Sequence, residues 1–143
     1  MLKTSEYLSA AEREQVLSRN DLWAGWLVLS NWAMILALLL LAGRFPHPVT
    51  ILLVWLVLPG RQLGLSVLMH EAGHNTLLSN RRSNQWVGQW LCALPTLNDL
   101  NAYARGHLDH HRYAGTPEDP DLPNYQAYPV DAESLLRKMV RDL

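Results

Sequence analysis

The feature that most restricts the fold is a run of 22 residues without a charge, from Leu22 to Gly43. A helix of that length, at a rise of about 1.5 Å per residue, crosses the bilayer hydrocarbon core of about 30 Å. Asn31 is the one strongly polar residue in the run, and we expect a neighbouring helix to satisfy it. Trp23 and Trp26 lie near one end, where tryptophans collect at membrane interfaces. The run predicts a transmembrane helix over residues 22–43.

A second apolar stretch follows a short link at residues 44–48, whose two prolines exclude a continuous helix there. Read through to Met69, this stretch predicts a second transmembrane helix over residues 49–69, kinked near residues 59–60. We favour this helix over a re-entrant segment. Arg61 then lies at membrane depth, where a charge is costly and is usually functional or paired.

The positions of the basic residues predict the orientation of this helical hairpin. The link between the two helices contains only Arg44. Apart from Arg61 within the second helix, the other basic residues flank the hairpin on both sides. Because basic residues concentrate on the cytoplasmic side, we expect both flanks to be cytoplasmic and the link to be non-cytoplasmic. The flanking basic residues are Lys3, Arg13 and Arg19 before the hairpin, and Arg81, Arg82, Arg105, Arg112, Arg137, Lys138 and Arg141 after it.

The remaining segments predict helices outside the hydrocarbon core. Residues 1–21 form a tail with a short amphipathic helix, which Ser9 and Glu12 begin with capping-box spacing. Residues 84–97 suit an interfacial helix within a histidine-rich region, 70–125. Helical periodicity resumes at Asp131, within a predicted cytoplasmic helical segment at residues 126–143. The predicted fold class is therefore all-α integral membrane, a transmembrane helical hairpin followed by cytoplasmic or interfacial helices.

Composition excludes several other classes of protein and site. A net charge of −1 gives no reason to expect a nucleic-acid partner. The single cysteine, Cys92, rules out an internal disulfide and a cysteine-based zinc site, and predicts a packed small side chain. The tail mixes acidic and basic residues and lacks a small-residue cleavage site, so it is a poor signal peptide.

Five of the six histidines fall into two tight groups. The first group is His70 and His74, which share one helical face because residues four apart lie about 40° apart around the axis. The second group is His107, His110 and His111, which also share one face. Neutral imidazole is a good ligand for iron, zinc or copper, so these groups predict metal binding. The sixth histidine, His47, is expected on the opposite side of the membrane in a structural role.

The first group by itself matches the H-E-x-x-H motif of zinc metalloproteases, in which Glu71 would be the general base. An intramembrane protease is therefore an alternative. A catalytic zinc, however, needs three protein ligands and an open position. Five clustered imidazoles exceed that number and suit two metal ions.

With these groups identified, the chain resembles the membrane fatty acid desaturase family over about residues 22–125. The resemblance is carried by MHEAGH at the end of the hairpin, the basic NRRSN segment, a helix containing Trp and Pro, and GHLDHHRYAGTPEDPD. It implies a di-iron site without further catalytic residues, in which Glu71 and Asp109 orient imidazoles. Asp119 and Asp121 would form a neighbouring loop, either as a structural turn or in support of the ligands. The implied iron ligands are His70, His74, His107, His110 and His111.

The resemblance also implies the reaction and its partners. The intact enzyme would use O2 to remove two hydrogens from a fatty acyl lipid or acyl thioester, with electrons from a ferredoxin or cytochrome b5-type donor. Related di-iron hydroxylases and ketolases use the same boxes and remain alternatives. The family has a third histidine box, so we expect this chain to be an N-terminal portion whose two irons are completed by residues absent from it. Alone it should be inactive, and an inactive truncated membrane protein is a further alternative.

Overall fold

The computed structural model of the chain describes residues 7–128 and 130–141. Within these residues the structure is helical and contains no β-strand. Its α-helices are α1 (Ala10–Leu17), α2 (Asp21–Arg44), α3 (Pro48–Gly73), α4 (Arg81–Val87), α5 (Leu100–Tyr113), α6 (Leu122–Tyr125) and α7 (Ala132–Arg141). A π-helical turn (Gly88–Ala93) and a 3-10 turn (Leu94–Thr96) follow α4.

The chain divides within α5 into two compact units, residues 1–104 and 105–143. The first unit contains α1 to α4, the π-helical and 3-10 turns and the start of α5. The second contains the rest of α5 with α6 and α7. Residues 1–6, 129 and 142–143 lie outside the described residues, and so does the predicted position of Lys3.

Among the described residues, α2 and α3 provide the two segments long and apolar enough to cross a membrane. The side chain of Asn20 caps α2 by accepting from the Trp23 N–H at 3.0 Å. The His47 ring caps α3 by accepting from the Val49 N–H, which gives His47 a structural role. Helix α3 is continuous for 26 residues and includes Pro59.

The outward surface of the α2–α3 hairpin is apolar. Leu29, Leu40 and Trp55 are exposed by 67, 72 and 69%, respectively. Exposed apolar side chains along two membrane-length helices are what a lipid-facing surface presents. These helices therefore indicate a membrane protein. Arg61 is exposed on α3, and no ion-pair partner for it occurs among residues 7–128 and 130–141.

Asn31 departs from the expectation that a neighbouring helix satisfies its side chain. Its amide group donates to the Leu27 carbonyl of the same helix at 3.0 Å. Its Oδ1 atom is buried without a hydrogen-bond partner among the described residues. This oxygen lies against Gly64 of α3, where an added Cβ would come within 2.7 Å of it. Asn31 thus lies where α2 and α3 approach closely, but its side chain makes no hydrogen bond to α3 among the described residues.

The segment predicted as an interfacial helix over 84–97 begins earlier and is less regular than expected. Its first turn starts at Arg81, where the Asn80 side chain accepts from two backbone N–H groups, so most of the basic NRRSN segment is helical. The helix then changes to the π form at Gly88. Pro95 has no N–H for the Leu91 carbonyl four residues earlier. The Trp32 indole of α2 supplies a donor to that carbonyl at 2.9 Å and fastens the segment to the hairpin.

Candidate metal centre

The first histidine group lies where α3 ends. His70 is in the last turn, and His74 is the C-cap residue, not a residue inside the helix. Asn75 follows with a positive φ of 58°. Its N–H bonds to the Ala72 carbonyl and the Thr76 N–H to the Glu71 carbonyl, both at 2.9 Å. This pairing is a Schellman motif, which stops the helix immediately after the histidine pair.

Two residues beyond this helix end hold it in place. Asn84 is fully buried; its amide donates to the Ala72 carbonyl at 2.8 Å, and its Oδ1 accepts from the Leu78 N–H at 3.0 Å. Gly88 allows a close approach, because a Cβ there would lie 2.5 Å from that of Ala72 and 2.9 Å from a methyl of Leu100. The backbone between the two histidines is therefore fixed by packing and hydrogen bonds that lie outside the motif.

The His70 and His74 rings are close enough to bind one metal ion. Their centroids are 4.7 Å apart, and a ring nitrogen of each lies within 4.8 Å of one of the other. The His70 Nδ1–H donates to Glu71 Oε1 at 3.1 Å, while the Glu71 Oε2 accepts from the Thr76 hydroxyl at 2.8 Å. Glu71 thus contacts a histidine as an orienting residue would, and both of its oxygens have partners.

The second histidine group lies on α5, whose first turn is capped by Asp99 through the Ala102 N–H. The Nε2 atoms of His107 and His111 are 3.0 Å apart, and their ring centroids are 4.5 Å apart. When a metal ion binds two nitrogen ligands through bonds of about 2.0–2.1 Å, as zinc does, and the angle between the bonds is a right angle, the two nitrogens lie about 3.0 Å apart. The spacing of these two nitrogens fits a metal ion held between them.

His110 is oriented differently from its neighbours. Its centroid is 6.4 Å from that of His107 and 5.9 Å from that of His111. Its Nδ1–H donates to Asp119 Oδ1 at 2.8 Å. This hydrogen bond is the main reason why the pKa of His110 is raised. Burial by itself would raise the pKa of Asp119, but hydrogen bonds from Tyr125, His110 and two backbone N–H groups hold that pKa well below its usual range.

The structure thus brings together His70 with His74 in the first unit, and His107 with His111 in the second. That all five histidines share one site stays a prediction, as does an orienting role for Asp109, which is exposed. From the sequence, Asp119 could belong to a structural turn or support a metal ligand. In the structure Asp119 is buried and accepts a hydrogen bond from His110. Tyr103, which the sequence did not single out, has its ring 6.4 Å from that of His70. Its position four residues before His107, on the same helical face, was the available signal.

Cys92 fits the packed role that the sequence predicts. It is fully buried and free, and burial raises the pKa of its thiol to about 12. A thiol in such surroundings is inert as a nucleophile and as a metal ligand.

Comparison with known proteins identifies a family that this chain matches. The model of the fatty acid desaturase family matches residues 46–143. The zeaxanthin 4-ketolase of Chlamydomonas reinhardtii is 35% identical over 104 residues, 71% of this chain and 23% of that protein. A beta-carotene ketolase of Paracoccus sp. (strain PC1) is 38% identical over 101 residues, 68% of this chain and 38% of that protein.

A third relative carries a different activity in its name. The dihydrorhizobitoxine desaturase of Bradyrhizobium elkanii is 36% identical over 83 residues, 57% of this chain and 22% of that protein. The chain thus spans less than two fifths of the length of each of these relatives. No solved structure matches the chain.

Proposed function

Because this chain belongs to the fatty acid desaturase family, we propose that it forms part of an O2-dependent di-iron oxidoreductase that introduces a double bond into a fatty acyl chain. The observation that carries the proposal is the His70–His74 pair at the end of a membrane-length helix, combined with three further histidines on one short helix. The family resemblance seen in the sequence is confirmed by the match over residues 46–143. The proposed iron ligands are His70, His74, His107, His110 and His111.

The first histidine group also has a cavity beside it on the side of the apolar helix. Ser66, Val67, Glu71 and Tyr103 line this cavity together with His70, and its volume is about 440 Å³. Ser66 and Val67 lie about one turn before His70, towards the apolar part of α3. A hydrocarbon chain that enters from the lipid would reach the histidines along this face. By the distribution of basic residues, we place this face on the cytoplasmic side.

Bound iron would supply the O2 chemistry that breaks an unactivated C–H bond, which side-chain acids and bases cannot do. The imidazoles would hold the metal, and Glu71 orients His70 by accepting its Nδ1–H. In a zinc metalloprotease the same glutamate would have to activate a water molecule. The contacts of Glu71 with Thr76 and His70 favour the orienting role. Electrons would come from a ferredoxin or a cytochrome b5-type protein.

A carotenoid-type ketolase is the second candidate, and the comparisons give it specific support. Two relatives that each align with more than two thirds of this chain are named as ketolases that act on zeaxanthin and on beta-carotene. A ketolase would need the same histidine ligands and the same access for a long apolar substrate. The two candidates therefore differ in the shape of the substrate channel and not in the metal ligands.

The test is to produce the full-length protein in a host that contains both fatty acyl lipids and beta-carotene, and to analyse both product classes by mass spectrometry. A new double bond in an acyl chain supports the desaturase, and a keto-carotenoid supports the ketolase. The variant His111→Ala should abolish either product and lower the iron content of the purified protein. His47→Ala is the matched control, because this histidine caps α3 and lies outside both groups. Purified protein without bound iron, and without either product, would refute the proposal.

A further inference from the structure

Asp119 has an environment unlike that of the loop around it. The residues from His111 to Glu118 are all exposed, yet Asp119 retains only 4% exposure, and its side chain is completely buried. A buried carboxylate is costly unless hydrogen bonds and charges compensate for it. Its burial in a short polar loop therefore calls for a specific set of partners.

Four donors surround the Asp119 carboxylate. Oδ1 accepts from the His110 Nδ1–H at 2.8 Å and from the Asp121 N–H at 2.9 Å. Oδ2 accepts from the Gly115 N–H at 3.1 Å and from the Tyr125 hydroxyl. Three of these donors fix the carboxylate in the loop, and the fourth belongs to a histidine of the second group.

From this geometry we propose that Asp119 is the positioning residue for His110, and that it holds the ring so that Nε2 binds the metal. The inference rests on the proposed function and identifies which acidic residue supports this ligand. When Nδ1 carries the hydrogen donated to a carboxylate, Nε2 keeps its lone pair for a metal ion. Asp109 is exposed, whereas Asp121 Oδ2 lies 3.6 Å from His110 Nδ1, beyond a normal hydrogen bond.

The direct test is to identify which nitrogen of His110 binds the metal in the unmodified protein. Full-length protein labelled with ¹⁵N and loaded with ¹¹³Cd in detergent should show coupling of the metal to Nε2 of His110. Coupling to Nδ1 would overturn the inference, because that atom could not also donate to Asp119. Coupling to other histidines but not to His110 would overturn it as well. If cadmium couples to none of the histidines, the proposed function itself fails.

Variants separate positioning from a structural role. Asp119→Asn should weaken cobalt or iron affinity by about 10–100-fold, the usual effect of losing a carboxylate that orients a metal-bound histidine. Tyr125→Phe removes a donor to the same carboxylate but keeps the contact with His110, so the metal affinity should be unchanged. Glu118→Gln is the matched control for charge, because this carboxylate is exposed in the same loop, and it should leave the affinity unchanged. Asp109→Asn tests the other acidic candidate for the positioning role.

The spectrum of the cobalt-loaded protein gives a readout that loss of stability alone would not change. In Asp119→Asn the ligand-field bands should shift, and in Tyr125→Phe they should match those of the wild-type protein. Equal losses of affinity in both variants would show that Asp119 acts only by stabilising the loop. A larger loss in Asp109→Asn than in Asp119→Asn would assign the positioning role to Asp109 instead.

Discussion

Asn84 offers the sharpest test of how the first histidine group is held in place. Replacing Asn84 by alanine removes the hydrogen bond to the Ala72 carbonyl and the one from the Leu78 N–H. The Ala72 carbonyl keeps the Asn75 N–H as a donor, so that loss should cost about 0.5–1.5 kcal/mol. The Leu78 N–H loses its acceptor, which should cost about 1–3 kcal/mol. The expected destabilisation is therefore about 1.5–4.5 kcal/mol.

The assay is equilibrium unfolding of the purified protein in detergent, followed by far-UV circular dichroism and tryptophan fluorescence. Asn101→Ala is the matched control, because Asn101 is an exposed asparagine that accepts a hydrogen bond from Gln85 in the same unit. This control should change the unfolding free energy by no more than about 0.5 kcal/mol. The reasoning is refuted if Asn84→Ala costs no more than Asn101→Ala.

Asn84→Asp sharpens the same test through its pH dependence. A carboxylate could still accept from the Leu78 N–H, but its second oxygen would face the Ala72 carbonyl without a hydrogen. Burial and this repulsion should raise the pKa of the introduced carboxyl. Since the protonated form can donate to Ala72, the variant should be least stable relative to wild type at neutral pH. It should recover as the pH is lowered through the raised pKa. A pH-independent deficit would contradict this account.

Three other contacts can be tested by substitution or by a change of pH. Trp32→Phe should cost about 1–3 kcal/mol in the same unfolding assay, because the Leu91 carbonyl loses the indole donor. Gly88→Ala should cost about 1–3 kcal/mol, since the added methyl meets close-packed side chains, whereas Gly25→Ala, with nothing within 4 Å, should not destabilise the protein. Hydrogen bonds from Ser9 hold the pKa of Glu12 below its ordinary value. The contribution of this capping box should therefore be present above the unfolded pKa and lost as the pH falls, which amide exchange in α1 can follow.

Local sequence patterns contain most of the information about the helices and the histidine groups. The uncharged run 22–43 and the segment 49–69 differ from α2 and α3 by no more than four residues at any end. The i, i+3, i+4 spacing of the second histidine group likewise predicts a single helical face, and α5 contains all three residues. These features depend on short-range periodicity, which a single sequence shows directly.

The irregular helix after Gly88, the burial of Asp119 and the end of α3 depend on contacts between residues that are not neighbours in a periodic pattern. The irregular helix after Gly88 depends on Trp32, which lies 59 residues before the carbonyl that its indole contacts. Burial of Asp119 requires the loop to fold back so that Tyr125 reaches both the carboxylate and the Gly115 N–H. Asn75 is in principle a visible helix stop, but its left-handed conformation is recognised only once the end of α3 is known. Tertiary contacts of this kind leave no periodic signal.

The uninterrupted course of α3 from Pro48 to Gly73 has a consequence for how this protein can vary in length. One residue inserted into a helix rotates everything beyond it by about 100° and advances it by about 1.5 Å. An insertion upstream of His70 would rotate both imidazoles relative to α2, which packs against α3, and would alter their depth relative to the lipid. The turn at Phe45–His47 lies outside both helices and can absorb added residues without this rotation. We therefore expect inserted residues to be tolerated in the turn between α2 and α3, and to disrupt the position of the first histidine group when they are inserted within α3.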